Sequence, residues 1–250
     1  MSEANVIRVS YPSAKAFVDM LTTLSELVDE VLMKVTPEGI SIKALDPARV
    51  SLLSISLPPD VFLEYEVPSP IDIGMSISSL IKILPKPKKG DKLTIQASED
   101  FFDFIIEGLI TRRYRFRNLQ VAEPEIPSFN LEFTVEGTVL AEAMKIAIKD
   151  ISDVSDTMRF IAETEDYLLV TSGDRRTKLK ISRATGSLVN LIIKERSEAA
   201  YDIDYLSKVI KLTGIAESID FQFGTDMPID LKFRLLGGGE VEYLLAPKGE

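Results

Sequence analysis

The chain has 250 residues, of which 45% are hydrophobic, and its formal net charge is −10 at pH 7. This length is sufficient for one large domain or for two domains of ordinary size. Cysteine and histidine are both absent. Their absence excludes disulfides and thiolate metal sites, and it removes the commonest general base and transition-metal ligand. The negative charge argues against wrapping nucleic acid over the whole surface, but it is compatible with a local basic surface.

The start of the chain, Met1–Val9, lacks the basic and then apolar pattern of a signal peptide. No apolar run approaches the roughly 20 residues that are needed to span a bilayer. We therefore expect a soluble, cytoplasmic protein that has no membrane partner.

Apolar residues at spacings of three and four predict a helix that begins near Tyr11-Pro12, with Ser10 as its cap. A second helix is predicted over Ile77–Leu84. Alternating or continuous apolar runs predict the strands of this half: Val31–Val35, Ile40–Ala44, Val50–Leu57, Leu93–Ala97, Phe101–Glu107 and Ile110–Asn118.

The stretch Val121–Ser128 contains two prolines and has no helical or alternating period. Proline fixes φ and removes a backbone donor, so an extended connector is predicted here. We accordingly divide the chain into a first domain at 1–117, a connector at 118–133 and a second domain at 134–250.

The second half repeats the order of the first. Helices are predicted over Thr138–Ile151 and Ile203–Leu212. The predicted strands are Asn130–Val135, Arg159–Glu163, Tyr167–Ser172, Arg175–Ser182, Ser187–Arg196, Ala199–Tyr201, Ser218–Phe223, Ile229–Leu235 and Glu240–Ala246.

The two halves also match residue by residue. Residues 77–84 resemble residues 203–210, and residues 92–95 resemble 218–221 at the same shift of about 126 positions. Each half combines two amphipathic helices with many antiparallel strands. The predicted fold is therefore α+β, with two duplicated domains whose helices lie on one face of antiparallel sheets.

Acidic residues cluster at predicted turns and in the connector, where solvated carboxylates are ordinary, and their spacing matches no metal-binding loop. Gly237–Gly239 lacks the lysine of a phosphate-binding loop. We therefore expect no catalytic residue, no metal and no cofactor. The acidic clusters are Asp153/Asp156, Glu163/Glu165/Asp166 and Glu123/Glu125.

Every predicted helix carries lysine away from its apolar face. Taken singly, such lysines are typical of any solvated helix. Their recurrence on the helical layer of an acidic protein favours a weak, sequence-independent contact with the phosphates of nucleic acid. The predicted DNA-facing residues are Lys15, Lys82, Lys86, Lys145, Lys149, Lys208 and Lys211.

Arginines alternate with Tyr114 and Phe116 in the last strand of the first half. The aromatic rings could stack on bases, but strict alternation places them in the core. We interpret this strand as a pairing edge, with Arg175–Ser182 as its counterpart, so that copies associate head to tail. The predicted subunit-interface residues are Arg113, Tyr114, Arg115, Phe116, Arg175, Thr177, Lys178, Leu179 and Lys180.

Three segments resemble one known family: Ala44–Leu52, the connector and Tyr243–Lys248. The chain is similar over its whole length to the sliding clamps of archaea and eukaryotes, the proliferating cell nuclear antigen (PCNA) family. The resemblance implies a ring of three two-domain subunits whose helices surround duplex DNA. It also implies a non-catalytic processivity factor that tethers DNA polymerase, flap endonuclease and DNA ligase, and that needs a clamp loader to open it.

In this family, partners insert a short peptide beneath the interdomain connector. Carried over by resemblance, the partner-peptide pocket would consist of Leu45, Val50, Leu52, Ile126, Pro127, Met227, Pro228, Leu244, Leu245, Ala246 and Pro247. Leu52 and Leu245 could equally be core residues. Lys82, Lys149 and Lys211 match positions where the family is basic, whereas Pro85 and Asp204 depart from that pattern.

The number of different subunits stays open, because one predicted edge is strongly basic, the other is mixed, and the resemblance covers homotrimers as well as heterotrimers. Two further classes remain as alternatives. An enzyme of unrecognised type would need a titratable site, and a sequence-specific DNA-binding protein would need base-reading side chains on a helix.

Overall fold

The computed structural model describes residues 7–126 and 131–249, and the chain divides into two compact units. The first unit consists of Met1–Pro47, Leu53–Glu125 and Gly237–Glu240. The second unit consists of Ala48–Leu52, Ile126–Leu236 and Val241–Glu250.

Two antiparallel sheets and two helices form the first unit, in the strand orders β5-β1-β7-β8-β9 and β4-β3-β2-β6. It contains all or most of β1 (Ile7–Tyr11), α1 (Ala14–Ser25), β2 (Glu30–Thr36), β3 (Gly39–Leu45), β4 (Ser51–Leu57), β5 (Glu64–Glu66), β6 (Ile71–Ser76), α2 (Ile77–Ile83), β7 (Lys92–Ala97), β8 (Phe101–Glu107) and β9 (Thr111–Arg117). Successive side chains of a strand point to opposite faces, so Val31, Met33 and Val35 of β2 are buried while the residues between them are not.

The helix pair of this unit covers the core side of its sheets. Helix α1 packs against α2 and β7, and α2 packs against β2 and β6. The buried ring of Phe17 meets Phe104 of β8 edge to face, with 6.1 Å between the ring centroids. The helices are therefore fixed to the sheets by aromatic and aliphatic packing, and their opposite faces do not pack against these sheets.

The second unit also consists of two antiparallel sheets and two helices. Its strand orders are β14-β10-β16-β17-β18 and β13-β12-β11-β15. It contains all or most of β10 (Val135–Leu140), α3 (Ala141–Ser152), β11 (Thr157–Thr164), β12 (Tyr167–Ser172), β13 (Lys178–Ser182), β14 (Leu188–Ile193), β15 (Ser197–Asp202), α4 (Ile203–Lys208), β16 (Ala216–Phe223), β17 (Ile229–Leu235) and β18 (Glu240–Leu245). A 3₁₀ turn at Ile210–Gly214 follows α4.

The duplication extends to strand register. Gln96 of β7 lies opposite Asp103 of β8, and Gln222 of β16 lies opposite Asp230 of β17. Each strand of the first unit has a counterpart at the same place in the second. The predicted α+β fold with two duplicated domains is thus confirmed.

Both longer helices begin later than predicted. Helix α1 starts at Ala14, because Ser13 rather than Ser10 is its cap and accepts a hydrogen bond from the Ala16 amide at 3.2 Å. Helix α3 starts at Ala141, because Val135–Leu140 alternates between buried and more exposed residues and pairs as β10. In each case a strand occupies the segment that was expected to open the helix.

The sequence patterns missed β1, β5 and β6. Residues 121–126 of the predicted connector have no regular secondary structure, while Pro127 and Ser128 lie outside the described residues. Among the helices within residues 7–126 and 131–249, none is long and apolar enough to cross a membrane.

Candidate DNA-contact and protein-contact surfaces

Three of the predicted DNA-facing lysines have local partners on their own helices. Lys15 forms an ion pair with Asp19 at 2.5 Å, and Lys145 forms one with Glu142 at 2.9 Å. The Lys208 ammonium lies over the ring of Tyr205, 4.1 Å from its centroid. The two carboxylates offset part of the positive charge of Lys15 and Lys145, and the Tyr205 ring stabilises the Lys208 ammonium where it lies, so a phosphate contact at these positions would be weak.

The other four, Lys82, Lys86, Lys149 and Lys211, are exposed. Lys82 and Lys149 lie in the last turns of α2 and α3, where the carbonyl ends of the helix favour a cation. Lys211 lies in the 3₁₀ turn after α4. Each unit therefore presents exposed lysines at the ends of its own helix pair.

Strand β9 lies at the end of its sheet, and within residues 7–126 and 131–249 its pairing partner is β8. The exposed arginines Arg113 and Arg115 both bind the carboxylate of Asp103 on β8. Arg115 donates to it twice, at 2.9 and 3.0 Å, and Arg113 donates at 2.6 Å. The Asp103 side chain is only 6% exposed. Hydrogen bonds from Arg115 and then from Arg113 lower the pKa of this carboxyl to about 2, so it stays ionised.

Sequence analysis missed Asp103, although a carboxylate within the apolar run of β8 was a visible signal. Such a group is buried only when it is paired. Alternation correctly puts the aromatic rings on the opposite face of β9, but they are half-buried there and do not lie in the core. Phe116 stacks on Phe102 with 5.3 Å between ring centroids. The arginines are thereby held on one face and the aromatic rings on the other.

Strand β13 lies at the end of the other sheet of the second unit, and its partner among the described strands is β12. It begins at Lys178, so Arg175 and Thr177 lie in the preceding turn. Arg175 has a positive φ of 60° and forms an ion pair with Glu198 at 2.5 Å. Lys180 lies over the Tyr167 ring at 3.8 Å, and Leu179 is half-buried.

Large apolar side chains that the sequence analysis did not single out are also exposed. In the first unit, Leu109 is fully exposed and Ile110 is 56% exposed at the turn that leads into β9. In the second unit, Ile146 of α3 is 50% exposed and Val154, just after that helix, is 59% exposed. Leu109 and Ile110 directly precede the edge strand β9, and exposed apolar side chains that form a patch are typical of a protein contact.

Most residues of the predicted partner-peptide pocket belong to the second unit, and Leu45 belongs to the first. Half-buried apolar positions of the second unit include Val50, Leu52, Ile126, Met227, Pro228, Leu244, Ala246 and Pro247. Leu245 is 1% exposed, so it supports this surface from the core and does not line it. Pro127 lies outside the described residues.

Two hydrogen bonds to backbone carbonyls hold the second-unit surface in place. The Ala246 amide donates to the Val50 carbonyl at 2.8 Å. The buried Tyr201 hydroxyl donates to the Met227 carbonyl at 2.9 Å, and burial raises the pKa of Tyr201. We use the name anchor surface for Val50, Met227, Pro228, Leu244, Ala246 and Pro247.

A separate groove of about 890 Å³ lies in the first unit. Its lining includes Asn118–Ala122 together with Leu32, Asp72, Glu99 and Asp100. The lining contains none of the predicted pocket residues that the structure describes, and its carboxylates make the groove more polar than the anchor surface.

Comparisons with family models, with protein sequences and with solved structures all give the same family. A family model described as the N-terminal domain of proliferating cell nuclear antigen matches residues 7–120. The DNA polymerase sliding clamp of Pyrococcus furiosus is 35% identical over 244 residues, which is 97% of this chain and 98% of that protein. That of Thermofilum pendens is 33% identical over 247 residues, which is 98% of this chain and 100% of that protein.

Solved structures agree with the sequences. A PCNA2–PCNA3 complex from Sulfolobus tokodaii superposes with a TM-score of 0.90 at 27% identity, covering 97% of this chain and 100% of that one. PCNA from Thermococcus kodakaraensis superposes with a TM-score of 0.87 at 29% identity and the same coverage. The resemblance noted in the sequence is confirmed, and the chain belongs to the proliferating cell nuclear antigen family of DNA polymerase sliding clamps.

Proposed function

We propose that this protein is a DNA sliding clamp, a non-catalytic processivity factor that encircles duplex DNA and tethers DNA polymerase to it. The observation that carries the proposal is the 35% identity to a DNA polymerase sliding clamp over 97% of the chain. The repeated architecture supports it, because each unit has a helix pair that carries exposed lysines and an edge strand, β9 in the first unit and β13 in the second.

The ring is closed by three clamp subunits that join β9 of one subunit to β13 of the next. Such a head-to-tail interface uses two different surfaces and closes when the rotation per subunit permits. Asp103 offsets the charge of Arg113 and Arg115, which lowers their repulsion toward Lys178 and Lys180 of the neighbouring edge. Burial of Ile110 and Val154 adds apolar area to the contact.

DNA is retained by topology, so the phosphate contacts of the helix pairs need to be only few and weak. Each lysine that contacts a phosphate displaces counterions, and the resulting contribution to the binding free energy is independent of DNA sequence. In this protein the phosphate contacts are made by the exposed lysines Lys82, Lys149 and Lys211. The domain division predicted from the sequence, 1–117 and 134–250 with a connector between them, remains our proposal for the functional units.

Partner enzymes dock through a short peptide that places aliphatic and aromatic anchors on the anchor surface. DNA polymerase is the first partner that we propose, and flap endonuclease, DNA ligase and a clamp loader are the others. Tethering raises the effective concentration of an enzyme at the primer end without any new chemistry. A cytoplasmic location at the nucleoid follows from this role.

Primer extension on a long, singly primed circle tests the proposal. The assay contains a family-B DNA polymerase and the clamp loader of the same organism, with a trap that prevents the polymerase from rebinding. We expect this protein to lengthen the products made in one binding event by at least tenfold. Unchanged product length, or synthesis or cleavage of DNA by the protein alone, would contradict a non-catalytic clamp.

A further inference from the structure

The segment that follows the last strand of each unit closes a sheet edge in the same way. Strands β6 and β15 lie at the ends of their sheets. In the first unit the Leu119 amide donates to the Gly74 carbonyl at 2.9 Å, and in the second unit the Lys248 amide donates to the Ala200 carbonyl at 2.7 Å. Gly74 and Ala200 are about 126 positions apart, which is the shift of the internal duplication.

The side chain that fastens each closure differs between the two units. In the first unit Asn118 accepts a hydrogen bond from the Gly74 amide and donates one to the Asp72 carbonyl, both at 2.9 Å. Gly74 is required here, because a Cβ at this position would lie 2.1 Å from the Leu119 carbonyl oxygen. The closure of the first unit is thus made by neutral groups at close range.

In the second unit the fastening group is the ammonium of Lys248. It donates to the Thr157 hydroxyl at 2.9 Å and to the Asp156 carbonyl at 3.2 Å. The carboxylates of Asp156 and Asp202 lie 3.2 and 3.8 Å from it. The Thr157 hydroxyl and then Lys248 lower the pKa of Asp156, so the ammonium faces an ionised carboxylate at neutral pH.

This fastening lies directly beside the anchor surface. Pro247 has no amide hydrogen to donate, so the backbone of 246–248 is held on either side of it by two bonds. One is the Ala246 amide to the Val50 carbonyl, and the other is the Lys248 amide to the Ala200 carbonyl. The Lys248 side chain is 31% exposed and reaches back to β11, so it adds a third fixed point.

We propose that Lys248 is a positioning residue for partner-peptide binding: through Thr157 and Asp156 it fixes Ala246 and Pro247 in the geometry that receives the anchors. This inference rests on the proposed function of the anchor surface. A surface that is already ordered loses less conformational entropy on binding, and the smaller entropic cost raises the affinity.

The test compares Lys248→Met, which keeps the length and apolar part of the side chain, with the matched control Lys194→Met. Lys194 is an exposed lysine of the same unit whose ammonium lies 3.5 Å from the Phe133 carbonyl. The probe is a fluorescent synthetic peptide with one aliphatic and two aromatic anchors, titrated by anisotropy. We expect Lys248→Met to weaken binding about tenfold, as for one lost charge-assisted hydrogen bond, and Lys194→Met to leave the affinity within twofold.

Two further variants separate positioning from general destabilisation. Lys248→Arg can still donate to the same oxygens, so we expect it to recover affinity to within about threefold. Thr157→Val removes one acceptor, and in the double variant with Lys248→Met its effect should not add, because both act through one contact. Hydrogen exchange of the Ala246 and Lys248 amides should accelerate in Lys248→Met while the amides of β16 stay protected.

Equal affinity of wild type and Lys248→Met, or fully additive losses in the double variant, would overturn the positioning role and leave the anchor surface intact. Failure of Lys248→Arg to recover binding, while its amide protection is that of the wild type, would also overturn it. A wild-type protein that binds no anchor peptide would contradict the anchor surface itself, and the inference would fall with it.

Discussion

Arg115 donates two parallel hydrogen bonds to Asp103, from Nε to Oδ1 at 2.9 Å and from Nη2 to Oδ2 at 3.0 Å. The two residues lie on neighbouring strands at a sheet edge. Arg113 adds a third bond to the same carboxylate. A forked pair of this kind fixes geometry as well as charge. The exposed edge strand β9 is therefore joined to β8 by side-chain bonds to a nearly buried acid, in addition to the backbone pairing.

Asp103→Asn should lower the free energy of unfolding by about 1–2 kcal/mol, because the buried carboxylate loses charge-assisted bonds while the half-exposed arginines regain water. Urea denaturation measures the change. Glu99→Gln, an exposed acid close by in the sequence, is the control and should stay within about 0.5 kcal/mol of the wild type. Equal stability of Asp103→Asn and the wild type would show that the forked pair does not support this edge.

The same pair predicts a pH dependence with a definite sign. The pKa of Asp103 is lowered from 3.8 to about 2 in the folded protein, so the folded state favours the ionised form. Its stabilising contribution is complete above the unfolded-state pKa and is lost as the pH falls toward 2. The difference in unfolding free energy between wild type and Asp103→Asn should shrink from pH 5 to pH 2. A difference that stays constant over this range would contradict the assignment.

Removal of Lys82 and Lys149 together should weaken binding to duplex DNA and flatten its salt dependence. Each lost phosphate contact reduces the slope of log affinity against log salt by about 0.9. The Lys82→Ala/Lys149→Ala variant, measured by anisotropy between 50 and 200 mM salt, is compared with Lys194→Ala. An unchanged slope would place these two lysines away from the DNA, and dependence on the DNA sequence would favour direct base reading.

Ile110→Asp should abolish self-association, because a carboxylate would be buried against the neighbouring subunit beside β9. Light scattering after size exclusion should give the mass of three chains for the wild type and of one chain for the variant. Val189→Asp is a matched control, since Val189 is 54% exposed on β14 and Ile110 is 56% exposed. A single-chain mass for the wild type itself would contradict a self-sufficient ring and point to other subunits.

Much of the fold could be predicted because its patterns are strong. The apolar stripe of α2 places its start at Ile77 correctly, and Pro85 explains why Leu84 is already extended. The duplication is visible in residues 77–84 and 203–210. In each unit the second helix packs against the first helix and against an edge strand, so both sequences must place apolar residues at the same positions.

The remaining features depend on contacts that no local pattern contains. Strand β5 has three residues and exists because Tyr65 pairs with Val9 across the sheet. Ser10 and Ser13 are equally good caps in sequence, and the pairing of Ile7–Tyr11 as β1 decides between them. Asp103 was overlooked because its role appears only when β9 is placed beside β8.

Retention on DNA of different topology tests the central claim most directly. The protein is loaded by its clamp loader onto a nicked circular duplex, freed of loader and nucleotide, and half of the sample is linearised with a restriction enzyme before gel filtration. A ring that encircles DNA should co-elute with the circle and be lost from the linear form, because weak phosphate contacts alone cannot hold it. Equal retention on circular and linear DNA would contradict the account.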